Sequence, residues 1–252
     1  MGRLLLVGNS RWHWASLSST GGRIWHESGP PADRTAGWGD LEAWACVGRL
    51  PERLGLPEQR RVRLERVPLQ GLPPWLGVDR ALVGWQAWRR QQQRPVLVVD
   101  AGTCLSLTLV DGTGRFRGGR LSAGLALQLR SLGQATAALP AWTDGAGPAE
   151  PPLRGAAEWG DGAPWPLATL EAMRAGCLKA CAGAIGLAWH DLEVMASAAC
   201  AGGELPWTLW LTGGDAEELE PLLRQQGLRP VLAPHLALEA LAALTGQEVG
   251  FS

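Results

Sequence analysis

Apolar and polar positions switch between strand-like and helix-like spacing along the chain, and do so twice in the same order. Arg3 to Gly8 is an apolar run suited to a buried strand. Arg11 to Leu17 alternates loosely as a second strand, and Gly22 to Glu27 follows a Gly-Gly turn as a third. Gly29-Pro30-Pro31 breaks the pattern. Leu41 to Leu50 then reads as a helix, Val62 to Pro68 as a strand, and Asp79 to Gln92 as a helix with Leu82, Trp85 and Trp88 at helical spacing. The pattern restarts with Pro95 to Asp100, a strongly apolar strand ending in an acid. Cys104 to Val110 and Arg115 to Leu121 are strands joined by the Asp111-Gly112 turn, and a helix is predicted from about Gly124 to Ala138.

Trp142 to Pro166, rich in Gly, Pro and Ala, reads as a loop or insertion. Leu167 to Ala198 reads as a long apolar helix broken near Gly183 or Gly186. A strand from Trp207 to Leu211 leads into Thr212-Gly213-Gly214. A helix from Asp215 to Gln226, a short strand from Pro230 to Leu232 and a helix from Leu236 to Leu244 complete the chain. Two halves that each open with a three-stranded meander imply an α/β duplication with a cleft between them, divided near Gln93 into residues 1–93 and 94–252.

Composition narrows the class. The chain has 252 residues, 46% of them hydrophobic, which is enough for a real core. A net charge of −1 gives no broad basic surface, so no nucleic-acid partner is expected. The first apolar run is too short for a signal-peptide core, and no stretch approaches the roughly 20 residues that span a bilayer. A cytoplasmic protein without membrane contact is therefore expected. Cys46, Cys104, Cys177, Cys181 and Cys200 lack a disulfide framework spacing and read as reduced thiols. Cys177 and Cys181 are one helical turn apart, a spacing open to a metal pair or to plain packing. The 14 tryptophans are scattered and read as core residues, each needing one partner for its indole N–H. His13, His26, His190 and His235 lie far apart in sequence and read as core or surface histidines. The arginines from Arg89 to Arg94 read as a solvated helix end.

The candidate chemistry lies in three glycine-bearing turns that follow apolar strands: Val7-Gly8-Asn9-Ser10, Asp100-Ala101-Gly102-Thr103 and Leu211-Thr212-Gly213-Gly214-Asp215. Glycine lets backbone approach a ligand closely, and the hydroxyls of Ser10, Thr103 and Thr212 can donate to phosphate oxygens. Each turn alone is also compatible with an ordinary tight turn; it is their order and strand context that points to nucleotide. The Gly-Lys-Ser/Thr of a Walker loop is absent, since Lys179 is the only lysine, and so are the motifs of a protein kinase. A fourth element, Gly77-Val78-Asp79-Arg80, opens a helix. Its acid and arginine could cap and solvate that helix; equally, the carboxylate could take a proton from a hydroxyl while the guanidinium grips an anionic substrate.

In this order the motifs resemble those of the type III pantothenate kinases, members of the acetate-kinase/hexokinase/actin superfamily. Leu6-Val7-Gly8-Asn9-Ser10 is similar to Asp-x-Gly-Asn-Thr, Gly77–Arg80 to Gly-x-Asp-Arg and Asp100–Thr103 to Asp-x-Gly-Thr. Gly118–Gly124 is similar to Gly-Gly-x-Ile-x-Pro-Gly, Thr169–Gly176 to the threonine-led helix start, and Thr212–Gly214 to Thr-Gly-Gly. The resemblance implies two ribonuclease-H-like halves of mixed sheet flanked by helices, and ATP-dependent phosphorylation of pantothenate toward coenzyme A, with Mg²⁺. It implies Asp79 as general base and a pantothenate site of Gly77, Val78, Asp79, Arg80 and Thr169. ATP contacts are implied for Leu6, Val7, Gly8, Asn9, Ser10, Arg11, Trp12, His13 and Thr103, and a monovalent cation, K⁺ or NH₄⁺, on Asp100. It further implies a homodimer. The sequence departs from the family at Leu6, where an aspartate is usual, at Ala123 and Ala168, and in having no tyrosine, so that Trp75 is the nearest aromatic candidate for a pantothenate contact. Leu6 also keeps a second reading open, a non-catalytic regulatory or binding protein of the same fold.

Overall fold

The structure is a computed structural model that describes residues 2–18, 21–29, 37–51, 54–142, 165–199 and 207–247. Its first sheet runs in the order β3 (Gly21–Glu27), β2 (Trp12–Ser18), β1 (Gly2–Val7), β4 (Leu41–Cys46), with β4 parallel to β1. Its second runs β7 (Phe116–Ala123), β6 (Cys104–Val110), β5 (Val96–Ala101), β8 (Thr208–Thr212), β9 (Val231–Leu232), with β8 parallel to β5. The helices are α1 (Val78–Arg90), α2 (Leu125–Ala135), α3 (Thr169–Ala199), α4 (Ala216–Gln225) and α5 (Leu236–Leu244). Two mixed sheets flanked by helices, each opening in an antiparallel meander, are what the repeated pattern predicts.

The apolar positions set the layers. On β1, Leu4 and Leu6 face α1 and α5, while Leu5 and Val7 face a tryptophan layer of Trp12, Trp14 and Trp44. Trp14 stacks between Trp25 and Trp38, with ring centroids 5.8 and 6.2 Å away. Each indole N–H of this layer that could be stranded has a partner: Trp14 donates to Glu27, Trp38 to the Leu54 carbonyl and Trp44 to the Pro57 carbonyl. α1 is buried all round because it is shared. Ala81, Leu82 and Trp85 pack on the first sheet, whereas Val83 and Ala87 pack on Val96, Val98 and Val110 of the second. α5 does the same with Leu238 and Leu241 against Leu236. The outer face of the second sheet is covered by α3 and α4 through Ile185, Leu192, Leu219 and Leu223.

Three expectations are corrected. Leu41 to Leu50 is not a helix: Leu41–Cys46 is strand β4. A register shift opposite Arg3 and Leu4 skips Glu42, so Leu41 and Trp44 share a face at a spacing of three, which imitates helical periodicity. Val62 to Pro68 forms a short 3₁₀ turn, Leu64–Arg66, in place of a strand, because Val62 and Val67 anchor the segment to the core and Arg63, Glu65 and Arg66 stay exposed. α3 runs unbroken through Gly183 and Gly186. The roughly 1 kcal/mol that each glycine costs a helix is outweighed by its buried stripe of Cys181, Ala182, Ile185, Ala188 and Leu192. The expected loop from Trp142 to Pro166 lies mostly outside the described residues.

Candidate active site

The turns after β1 and β5 meet. Ser10 Oγ and Thr103 Oγ1 are 2.7 Å apart and share a hydrogen bond across the two halves. Ser10, Asn9 and Arg11 are exposed, and Thr103 is half-buried. Close backbone contacts shape both turns. A Cβ on Gly48 would sit 2.0 Å from the Gly8 carbonyl oxygen, and one on Gly124 would sit 1.9 Å from that of Gly102. Gly8 donates its N–H to the Arg11 carbonyl, and Gly124 donates to that of Thr103. The remaining residues of the first segment are partly or wholly internal. Leu6, Val7 and Trp12 turn into the core, and His13 is half-buried, its Nδ1 3.0 Å from that of His26.

Asp79 stands in the first turn of α1, the layer between the sheets. Its Oδ1 accepts the Arg80 backbone N–H at 2.8 Å. Gly77 leaves it room, since a Cβ there would lie 2.5 Å from that oxygen. Burial raises the Asp79 carboxyl above its ordinary range, against the smaller lowering effect of Arg80. Val78 is buried in the core, so only its backbone is available to a ligand. Arg80 reaches the second sheet. Its Nε donates to Thr108 Oγ1 at 3.2 Å, its Nη2 donates to the Leu107 carbonyl at 3.1 Å, and its guanidinium lies 5.9 Å from the Phe116 ring centre. A shallow cavity of about 390 Å³, lined by Gly71, Pro73, Arg115, Phe116, Arg117 and Gly118, shares Phe116 with it.

Asp100, the penultimate residue of β5, lies opposite Thr212 of β8. Burial first, then the negative charges of Asp79 and Asp215, push its carboxyl up to about 7. Gly213, at φ 95°, makes the necessary space: a Cβ there would lie 2.6 Å from Asp100 Oδ1. Thr212 itself is buried, so the late Thr-Gly-Gly serves Asp100 more than a ligand. Asp215, part of the third turn but with no role assigned from the sequence, accepts the Leu125 N–H at the head of α2 and has its own carboxyl raised by burial and by Glu218. Its place directly after Thr-Gly-Gly was the available signal. Thr169 is exposed at the start of α3, with no bond to Asp79 or Arg80 among the described residues, and Trp75 is 84% exposed.

Among the described residues no three His, Cys, Asp or Glu side chains are grouped to hold a metal ion by themselves. Asp100 nonetheless fits a cation: it is an oxygen donor in a negative field, and a positive charge would relieve the repulsion that disfavours its ionised form. The arrangement offers two polar turns for phosphate oxygens, a buried carboxylate for a proton, and a guanidinium for an anion.

Comparison with known proteins agrees. The family model for type III pantothenate kinase matches residues 69–191, a span that takes in Gly77–Arg80, Asp100–Thr103 and most of α3. A type III pantothenate kinase of Synechococcus elongatus is 33% identical over 97% of this chain and 96% of its own length. That of Thermosynechococcus vestitus is 35% identical over 87% of this chain and 80% of its own. A Baf family transcriptional activator of Campylobacter jejuni superposes with a TM-score of 0.57 at 15% identity over 97% of both chains, a likeness of fold. With near-complete coverage of both chains by the first of these relatives, the chain belongs to the type III pantothenate kinase family.

Proposed function

We propose that the chain phosphorylates pantothenate with ATP, giving 4′-phosphopantothenate, the first step of coenzyme A synthesis. The observation that carries this is the 2.7 Å contact of Ser10 with Thr103, which joins one phosphate-type turn from each half beside the buried carboxylates. Residues 1–93 and 94–252 act as two jaws, with α5 returning to the first. Exposed Asn9 and Ser10, half-buried Thr103 and the backbone of Gly8 and Gly102 orient the triphosphate. Asp79 accepts the proton of the primary hydroxyl of pantothenate as that oxygen attacks the γ-phosphorus in line. The raised affinity of its carboxyl for a proton makes it a stronger base than a solvated aspartate. Arg80 takes the substrate carboxylate.

Mg²⁺ arriving with ATP supplies charge neutralisation on the phosphates. Asp100 is the residue for a monovalent cation, K⁺ or NH₄⁺. A homodimer is supported by α3, whose outward side carries Leu187, Val194 and Met195, each more than half exposed. A cytoplasmic site of action is supported by the free thiols of Cys46, Cys104, Cys177 and Cys181. No helix among the described residues is long and apolar enough to cross a membrane.

The test is direct. Purified protein with ATP, Mg²⁺, K⁺ and pantothenate yields phosphopantothenate by mass spectrometry, and Asp79→Asn folds normally but loses about 10²–10⁴-fold in kcat. Full activity in Asp79→Asn removes the base assignment. No product from the native chain, despite tight ATP binding, removes the kinase reading.

A further inference from the structure

We infer that Thr108, on the middle strand of the second half's meander, is a positioning residue that determines how Arg80 meets the acid end of the substrate. The inference rests on the pantothenate reading and deepens it. Thr108 is 1% exposed, and its hydroxyl accepts from Arg80 Nε. The Leu107 carbonyl takes Nη2 on the same edge of the guanidinium. That edge is therefore committed to β6. The end-on edge, formed by Nη1 and the second proton of Nη2, remains for a carboxylate, which it can bind with two parallel hydrogen bonds. Gly119 of β7 is part of the same arrangement, because a Cβ there would lie 2.3 Å from Nη2 and 2.0 Å from the Leu107 carbonyl oxygen.

Thr108 has a second contact that separates positioning from packing. Its γ-methyl lies beneath Gly84 of α1, where a Cβ would approach it to 3.3 Å. The methyl thus fixes how closely α1 approaches β6, while the hydroxyl fixes the direction of the guanidinium. Branching at Cβ restricts χ1, and a single rotamer of Thr108 makes both contacts. A substrate anchor rooted in the first half is in this way aimed by the second.

The two contacts predict opposite behaviour in two variants. Thr108→Val keeps the methyl and loses the hydroxyl. Its KM for pantothenate rises about tenfold, the scale of one hydrogen bond to a charged group, while KM for ATP and kcat hold. Thr108→Ser keeps the hydroxyl and loses the methyl. It retains the native KM for pantothenate with a lowered Tm. A purely structural threonine leaves the KM for pantothenate unchanged in Thr108→Val, and that result overturns the proposal. An arm independent of turnover uses the Arg80 Nε–H resonance in ¹⁵N-labelled protein. It is protected from exchange in the native chain and in Thr108→Ser and is lost in Thr108→Val; unchanged protection in Thr108→Val also overturns the proposal. If the native chain neither binds nor phosphorylates pantothenate, the functional reading fails, and the resonance still decides whether Thr108 orients Arg80.

Discussion

At the scale of single residues, the motif positions were legible because their chemistry has few substitutes. Gly77, Gly124 and Gly213 stand where a Cβ would strike a carboxylate or carbonyl oxygen, and Asp79 and Asp100 keep the carboxylates that the family resemblance expects. Leu6 is the exception. Its side chain is 8% exposed among Leu4, Val78 and Leu82, so the place of the family aspartate has become core. Leu6→Asp would bury an unpaired carboxylate there, and a loss of roughly 3 kcal/mol or more in denaturant unfolding is expected. His13 supplies a pH dependence. Burial first, then His26, Arg11 and His235, lower its pKa to about 4, whereas an unfolded histidine titrates near 6.5. The unfolded chain therefore binds more protons between those values. The stability that depends on neutral His13 is full above pH 6.5 and is lost as pH falls toward 4. Thermal melts from pH 7.5 to 4.5 should show a steeper fall for the native chain than for His13→Gln. Sequence separation hid this cluster, since His13, His26 and His235 approach only through strand pairing and the return of α5.

At the scale of elements, the reading succeeded where one residue period ran uninterrupted and failed where a local irregularity changed it. β1, β5, β6 and α5 needed no correction. β4 was misread because its bulge at Glu42 gives apolar residues a helical spacing, and Val62 to Pro68 because two buried valines do not make a paired strand. Asp111 follows the expected turn chemistry, its Oδ1 accepting from the Thr113 N–H and hydroxyl and from the Arg115 N–H. Arg89 and Arg90 do more than end a solvated helix: they lie over Trp85 and Trp210, and Arg90 pairs with Glu239 at 2.7 Å. The entry to α2 gives a test of the glycine contacts. Gly124 has an ordinary φ of −73°, so alanine is strained there by contact alone. Gly124→Ala is expected to cost about 1–3 kcal/mol and to raise KM for ATP, as the Gly102 turn is pushed aside. Unchanged nucleotide affinity would separate that turn from the phosphate site.

At the scale of the whole molecule, α1 and α5 form a middle layer packed on both sheets, which brings Asp79 into the field of Asp100 and Arg80 onto β6. The polar first turn of α1 carries Asp79, whose charge acts on Asp100 of the second half. The outer helix α3 bears on association. Charged residues at exposed positions that make no partner contact are tolerated in a monomer, but on an interface they repel. Leu187→Glu with Val194→Glu should therefore convert a dimer to a monomer in size-exclusion chromatography with light scattering, while the far-UV circular dichroism of the chain stays native. A native chain already monomeric would remove the dimer.

The order of strands and helices, the glycine turns and the identity of the acids were determined by the sequence alone, because backbone propensity, turn geometry and side-chain chemistry act within a few residues. Which helix lies between the sheets, which strand Arg80 leans on, and which carboxylates share one field were decided only by tertiary packing. Those relations join residues far apart in the chain, such as Arg80 with Thr108 and Asp100 with Asp215. Packing and electrostatics at such separations depend on distance in space, which local sequence patterns do not encode.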